Sequence, residues 1–287
     1  MKPKNFSNRE GNAGELATAA SVQLWALDVL RQFVGAATRC AIPVLPVKGI
    51  LSARTLYPTV GARPIRDVDV RVLPGDFGAV QRLAAQHGWD FAVTSRSYTA
   101  GVLRIDGLGV DVETHVSAPY LTRLSVAEMM RRASTSIEPF GFRHLQPAFH
   151  DQLLLQCLNA YKDHLVHTAS WAVEDLVRAQ QHPAFNERTL VDLARHSGNA
   201  TLLWVLGTWL VHARGATGWR GVIAALGSPP RPRYAAMMLD AVDRSPQRPS
   251  YRVRILARAA SDYPLDRVRA LAGMAAYGLV EKGVAPK

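Results

Sequence analysis

From Leu16 to Cys40 apolar residues recur at steps of three and four, through Val22, Trp25, Ala26, Val29, Leu30, Phe33 and Val34, the period of an amphipathic helix. Ala41 to Val47 is apolar but holds Pro43 and Pro46, so it reads as a short extended piece unsuited to the middle of a hydrogen-bonded ladder. Lys48-Gly49 follows, and Ile50 to Tyr57 resumes a helical pattern before Pro58, Gly61 and Pro64 break the chain. Asp67 to Leu73 then alternates Asp67, Asp69 and Arg71 with Val68, Val70 and Val72, the signature of a half-buried strand. Pro74-Gly75-Asp76 supplies a turn and a cap, Phe77 to His87 a helix, and Gly88 its stop. Trp89 to Thr94 and Tyr98 to Ile105 read as strands, and Asp106-Gly107 is a hairpin signal ahead of the alternating run Val110 to Val116.

From about Phe149 the pattern is helix after helix: Phe149 to Asp163, Thr168 to Gln181, Glu187 to His196, Ala200 to Ala213, Tyr234 to Asp243, Tyr251 to Ala260 and Leu265 to Tyr277. Trp204 and Trp209 on the fourth of these are read as core. The expected architecture is therefore α+β. A mixed-sheet domain spans residues 1–145 with an N-terminal helix, and an all-helical domain with basic terminal helices spans 146–287. No fixed-period repeat or low-complexity tract appears.

The 287 residues carry 34 Lys+Arg against 23 Asp+Glu, a net charge of +11, which favours a polyanionic or phosphorylated partner without naming one. The excess is uneven. Residues 149–230 are neutral, whereas residues 231–287 hold 11 basic and 5 acidic side chains. Arg252, Arg254 and Arg258 there read either as a phosphate-facing stripe or as a solvated face. The two cysteines, Cys40 and Cys157, share no metal-ligand spacing. The N-terminus lacks the apolar run of a secretory signal, and no stretch of 18 apolar residues occurs. A cytoplasmic protein with no membrane contact is the expectation.

Asp67 and Asp69 flank one residue of a strand, so both project from the same face, roughly 6 to 7 Å apart at the backbone. Asp111 lies on another strand with Glu113 and His115 on its polar face. Two carboxylates about 5 Å apart repel by roughly 3 kcal/mol at an effective dielectric near 20, so three at one sheet edge call for a cation. Hard oxygen ligands suit Mg²⁺, and two such ions about 4 Å apart could neutralise a triphosphate, activate a hydroxyl and stabilise departing pyrophosphate. On this reading, Asp69→Asn would stabilise the metal-free protein by removing one like charge. Lys48-Gly49, at a strand-to-helix turn, places an ammonium and backbone amides where they can hold phosphates. Lys48 is also the sole lysine between residues 5 and 161. Asp163, His164 and His167 could form a metal cluster at helical spacing or a cap and solvated turn.

The run Leu45-Pro46-Val47-Lys48-Gly49, then Leu56-Tyr57, Gly61-x-Arg63, Asp67-Val68-Asp69 and Val110-Asp111-Val112-x-x-His115 resembles a group of bacterial nucleotidyltransferases in the DNA polymerase beta-like superfamily. In that group a Lys-Gly turn stands where most of the superfamily has Gly-Ser. The resemblance extends through His150-Asp151, Asp163-His164 and Trp171-x-x-Glu174-Asp175 and covers about Val44 to Asp175. It implies that Asp67, Asp69 and Asp111 hold two Mg²⁺ ions, with Mn²⁺ a possible substitute. It further implies that Asp111 acts as base for the incoming hydroxyl and that Lys48 and Gly49 hold nucleotide phosphates. Arg63 and Arg66 become candidates for phosphate contacts, Arg63 alternatively for a loop salt bridge, and His115 either orients a carboxylate or acceptor or is a structural strand histidine. The chain departs from the family after its third carboxylate, where an aromatic commonly follows the histidine.

No G-x-S-x-G elbow, Walker loop or dinucleotide-binding loop follows a strand. The expected activity is therefore Mg²⁺-dependent transfer of a nucleoside monophosphate from an NTP to a hydroxyl of RNA such as a tRNA end, of a protein or of a small molecule, with the helical domain closing over the reactants. The alternative is a noncatalytic nucleic-acid-binding or regulatory module on the same fold. The base of the NTP, the acceptor and the oligomeric state are left open by the sequence.

Overall fold

The structure, a computed structural model, describes residues 13–95, 98–164, 170–244 and 251–280. It divides into two compact units, one formed by the chain up to Val116 with Ser125–Ala148, the other by Ser117–Leu124 and the chain from Phe149 onward.

The first unit runs α1 (Ala13–Arg39), β1 (Leu45–Val47), α2 (Lys48–Thr55), β2 (Val68–Arg71), α3 (Phe77–Gln86), β3 (Asp90–Ser95), β4 (Ala100–Ile105), β5 (Leu108–Glu113), α4 (Val126–Arg132), β6 (Ser134–Ser136) and β7 (His144–Gln146). β1 to β5 form one mixed sheet in the order β1-β2-β5-β4-β3. β2 and β5 are parallel and every other neighbouring pair is antiparallel. Pro46 is tolerated because β1 is an edge strand, where a missing N–H costs the ladder least. The hairpin between β4 and β5 turns on Asp106 and Gly107, both at positive φ (50° and 87°), the conformation that favours the Asp-Gly pair at a two-residue turn. Phe33 and Leu30 of α1, Ile50 of α2, Val80 and Leu83 of α3, and Val68, Val70, Val110 and Val112 of the central strands share one core. α4 begins with a Ser125/Glu128 capping box. This short helix and the β6–β7 pair were not among the expected elements.

One expectation is corrected. β2 is not half-buried; all four of its residues are buried, Asp69 and Arg71 included. Its polar face is covered by ionic partners rather than by water.

The second unit holds α5 (Phe149–Asn159), continued by a π-helical turn at Ala160–His164, then α6 (Trp171–Ala179), α7 (Glu187–His196), α8 (Ala200–Arg214), α9 (Trp219–Leu226), α10 (Pro232–Arg244), α11 (Tyr251–Arg258) and α12 (Pro264–Val280). α9 was not anticipated. Trp219 on it is fully buried and donates Nε1–H to the Leu176 carbonyl at 3.1 Å. Trp209 is core as expected, but Trp204 is only half-buried. Segment 117–124 is tied in by Thr122 Oγ1, which donates to Asn199 Oδ1 (2.6 Å), by Asn199 Nδ2, which donates to the Leu121 carbonyl (2.8 Å), and by the Arg123–Asp266 ion pair (2.7 Å). Cys40 and Cys157 are both free thiols. Among the described residues no helix is long and apolar enough to cross a membrane.

Candidate active site

The parallel register of β2 and β5 sets Asp69 beside Asp111 and Arg71 beside Glu113. Because side chains alternate along a strand, these four share one face, while Val68, Val70, Val110 and Val112 fill the core on the other, each fully buried. On the opposite side of β2, Val47 is the ladder partner of Asp69, and the next residue, Lys48, turns the chain into α2 at φ +54°. A non-glycine residue in that left-handed region costs on the order of 1 kcal/mol and persists only where its surroundings fix it. Here the surroundings are ionic. Lys48 Nζ donates to Asp69 Oδ1 at 2.7 Å and lies 3.7 Å from Glu113 Oε1. The other Glu113 oxygen, Oε2, lies 2.6 Å from Arg71 Nη2. Arg71 is 1% exposed, donates Nη1–H to the Val70 carbonyl at 3.1 Å, and leaves Nε without a partner.

Asp111 is pushed up to about 6, first by burial and then by the charges of Asp69 and Asp67, with Lys48 opposing. Asp67, which precedes β2 and is exposed, is also raised, by desolvation first and Asp69 second, against the pull of Lys48, Arg63 and Arg66. Burial is the largest influence on Lys48 and disfavours its charge, yet the fields of Asp69 and Glu113 with the Asp69 hydrogen bond outweigh it, so the ammonium is held above its ordinary value. Asp67, Asp69 and Asp111 therefore act on one another electrostatically, and two of them are short of positive charge.

That deficit and the all-oxygen donor set fit a divalent cation such as Mg²⁺. Among the described residues, however, no group of three His, Cys, Asp or Glu side chains is arranged as a ready metal cage, and an oxygen of Asp69 is engaged by Lys48. The fit is one of charge and donor type, and a cation at this edge competes with the Lys48 ammonium for the charge of Asp69.

Arg63 lies against the Lys48-Gly49 turn: a Cβ on Gly49 would stand 2.8 Å from Arg63 Nη1, so glycine there leaves room for the guanidinium, which also donates to the Pro64 carbonyl at 3.2 Å. Arg66 is exposed, one residue before Asp67. His115 falls beyond the end of β5, its Nδ1 3.0 Å from the Tyr98 carbonyl and 3.1 Å from Thr114 Oγ1, the setting of a structural histidine. In the helical unit, His150 Nε2 accepts from the Asn186 amide at 3.1 Å, Glu174 pairs with Arg178 and Arg214, and Asp151 and Asp175 are buried. The side chains of Asp163 and His164, and His167 altogether, lie outside the described residues. Glu113 and Arg71 are the members that the sequence reading left without a role. The signal was present, since Arg71 continues the Asp67-Asp69 alternation and Glu113 that of Asp111.

Residues 11–214 match the model of a family described as uncharacterised nucleotidyltransferases. The chain belongs to that nucleotidyltransferase family. No curated protein matches the sequence of this nucleotidyltransferase. Among solved structures it is similar to the antibiotic-resistance factor ANT(2'')-Ia in solution, 15% identical over 75% of this chain and 96% of that one, with a TM-score of 0.45. It is also similar to an antigenic nucleotidyltransferase-like protein from Paracoccidioides brasiliensis, 11% identical over 70% and 93% of the two chains, TM-score 0.40. A tRNA nucleotidyltransferase complexed with a primer tRNA and an incoming ATP analog is 14% identical over 87% and 83%, TM-score 0.30.

Proposed function

We propose that this nucleotidyltransferase moves a nucleoside monophosphate from an NTP to a hydroxyl acceptor, with the chemistry at the β2–β5 edge of the first unit. The observation that carries this reading is the Asp69–Asp111 register, joined by Asp67 in one mutually repelling set whose member Asp111 titrates at about 6. Asp67, Asp69 and Asp111 would hold Mg²⁺, two ions by the carboxylate count, with Mn²⁺ sharing the same donor preference. Bound there, the ions would supply the Lewis acidity that phosphoryl chemistry requires.

The chain's own groups do the rest. The N-terminus of α2 has no side-chain cap, so its first amides and the Lys48 ammonium can receive phosphate oxygens. Arg63, packed on Gly49, stands behind them, and exposed Arg66 can meet the outer phosphates. A carboxylate oxygen of Asp111, with an affinity for protons near neutrality, takes the proton of the acceptor hydroxyl. The deprotonated hydroxyl oxygen of the acceptor then bonds to the α-phosphorus as the bond from that phosphorus to the departing pyrophosphate breaks, while Asp111 keeps the proton.

A phosphate-bearing acceptor accounts best for the basic C-terminal region, where Arg252 and Arg254 are exposed on α11 and Arg258 is half-buried at its end. If each meets a phosphate, changing all three to Ala flattens the salt dependence of acceptor binding by up to about 3 units of slope. The decisive experiment incubates the protein with each α-labelled NTP, Mg²⁺ and a cell extract, and asks whether label enters RNA, protein or small molecules. Label in none of them, with every NTP, rejects the transferase reading.

A further inference from the structure

Arg71 is the most costly side chain in the first unit to explain by packing alone. It is 1% exposed, it is a permanent charge, its Nε has no partner, and a buried guanidinium is usually matched or exceeded in stability by an apolar side chain of similar size. It nonetheless holds Glu113 at 2.6 Å, and Glu113 turns its other oxygen toward Lys48 Nζ, 3.7 Å away, while Lys48 donates to Asp69 at 2.7 Å. The order Arg71, Glu113, Lys48, Asp69 alternates in sign from the buried strand interior to the carboxylate edge.

We infer that Glu113, clamped by the buried Arg71, is the positioning residue for Lys48: it keeps the ammonium beside the nucleotide site when Asp69 gives up its hydrogen bond. The inference rests on the proposed nucleotide site. In the resting arrangement Asp69 is the nearer anion to Lys48, and an incoming divalent cation competes with the ammonium for Asp69. Without Glu113, a displaced Lys48 would lose the carboxylate that lies 3.7 Å from its ammonium and that Arg71 holds from behind. With Glu113 fixed from behind, the ammonium remains within a side-chain swing of the uncapped amides of α2 and passes to a phosphate oxygen instead of into water. Arg71 acts one step further back, by fixing the carboxylate rather than by touching nucleotide.

The test is a double-mutant cycle in the full chain, with affinity for a nonhydrolysable NTP analogue measured calorimetrically with and without Mg²⁺, and thermal stability recorded for each variant. Glu113→Gln is expected to weaken Mg²⁺–nucleotide binding about 5- to 20-fold in the parent and less than 2-fold in a Lys48→Ala background. Glu113→Asp should recover part of the loss. Arg71→Lys should reproduce the Glu113→Gln defect where it folds, and Glu113→Gln, which leaves Arg71 in place, keeps the test open where it does not. A merely structural role for Glu113 would lower the melting temperature equally in both backgrounds and leave the affinity ratio near one. Equal losses of affinity in both backgrounds, or none in either, overturn the inference. Absence of nucleotide binding by the parent protein rejects the proposed function itself, a result distinct from either.

Discussion

Arg71 in the sheet unit and Arg231 in the helical unit are both guanidinium groups drawn out of water, and they are accommodated in different ways. Arg231 donates to the carbonyls of Ala259 and Ser261, both at 3.0 Å, and lies 4.0 Å over the Tyr234 ring. Tyr234 donates its hydroxyl to the Leu256 carbonyl at 2.8 Å and accepts from Tyr161 at 2.9 Å. Burial pushes the Tyr234 phenol up to about 12, so it stays neutral and keeps both hydrogen bonds. The helical network ends on backbone carbonyls, which cannot be titrated or displaced. Arg71 ends on a carboxylate that is shared with a lysine, itself shared with an aspartate that a metal would claim. A network closed on backbone groups contributes stability, whereas one closed on exchangeable ions stores an unmet demand for positive charge. The comparison predicts that substitutions in the two networks move different observables.

The largest effect falls on turnover. Asp69→Asn is expected to lower kcat by about 10³-fold or more, at least about 4 kcal/mol of transition-state stabilisation, checked by release of pyrophosphate from NTP. The structure reverses the expectation that this variant also stabilises the metal-free protein. Asp69 is the hydrogen-bond partner of Lys48, and asparagine keeps an accepting oxygen but removes the negative charge that helps balance this largely buried ammonium. Melting temperature at or below the parent's is the expected result.

Arg231→Met comes next and moves stability instead. Losing two hydrogen bonds to carbonyls and the ring contact is expected to cost about 2 to 4 kcal/mol, read as a lower urea midpoint, with nucleotide affinity of the folded protein unchanged. A variant that kept its stability would dissolve the contrast between the two arginines.

Lys48→Ala lies between the two kinds of effect. Loss of a charge-assisted phosphate contact should weaken NTP binding by about 1.5 to 3 kcal/mol, measured by calorimetry in Mg²⁺. Unchanged affinity would leave Lys48 as an internal counter-ion of Asp69 and Glu113.

These differences also show what the sequence could and could not convey. Strict alternation in Asp67 to Leu73 and Val110 to Val116 placed Asp69 and Asp111 on one face, and Asp106-Gly107 located the hairpin, because both signals act over a few residues. Burial of the polar face of β2 was not legible, since it depends on Lys48 and Glu113 arriving from other strands and helices. The Ser125/Glu128 box that starts α4 is a local signal present in the sequence, as is Trp219 at the first position of α9. That Ser117–Leu124 belongs with the helical unit rests on Asn199, some 77 positions from Thr122, a pairing that no periodicity encodes. The resemblance carried by Lys48-Gly49, Asp67-x-Asp69 and Asp111 pointed to a nucleotidyltransferase, as the family match bears out, whereas the Arg71–Glu113 ion pair needed the parallel register.

The smallest effect sharpens the comparison most, because its sign differs from the others. Asp111 is free of the Lys48 hydrogen bond that engages Asp69, and it titrates at about 6 in the folded protein against about 3.9 in an unfolded chain. A raised carboxylate is a cost of folding while it is ionised. That cost is fully present above about pH 6 to 7, shrinks as pH falls through 6, and vanishes below about pH 3, where the group is protonated in both states. Taken at face value the shift is about 3 kcal/mol, and solvent access to this half-buried group reduces it to about 1 to 2 kcal/mol. In EDTA, Asp111→Asn should therefore be more stable than the parent by that amount at pH 8 and equal to it near pH 3. Denaturation series from pH 3 to 8 read this directly. An Asp111→Asn protein less stable than the parent at pH 8 would mean that the carboxylate edge is as well satisfied as the Arg231 network, and that the unmet demand for positive charge assigned to the sheet unit does not exist.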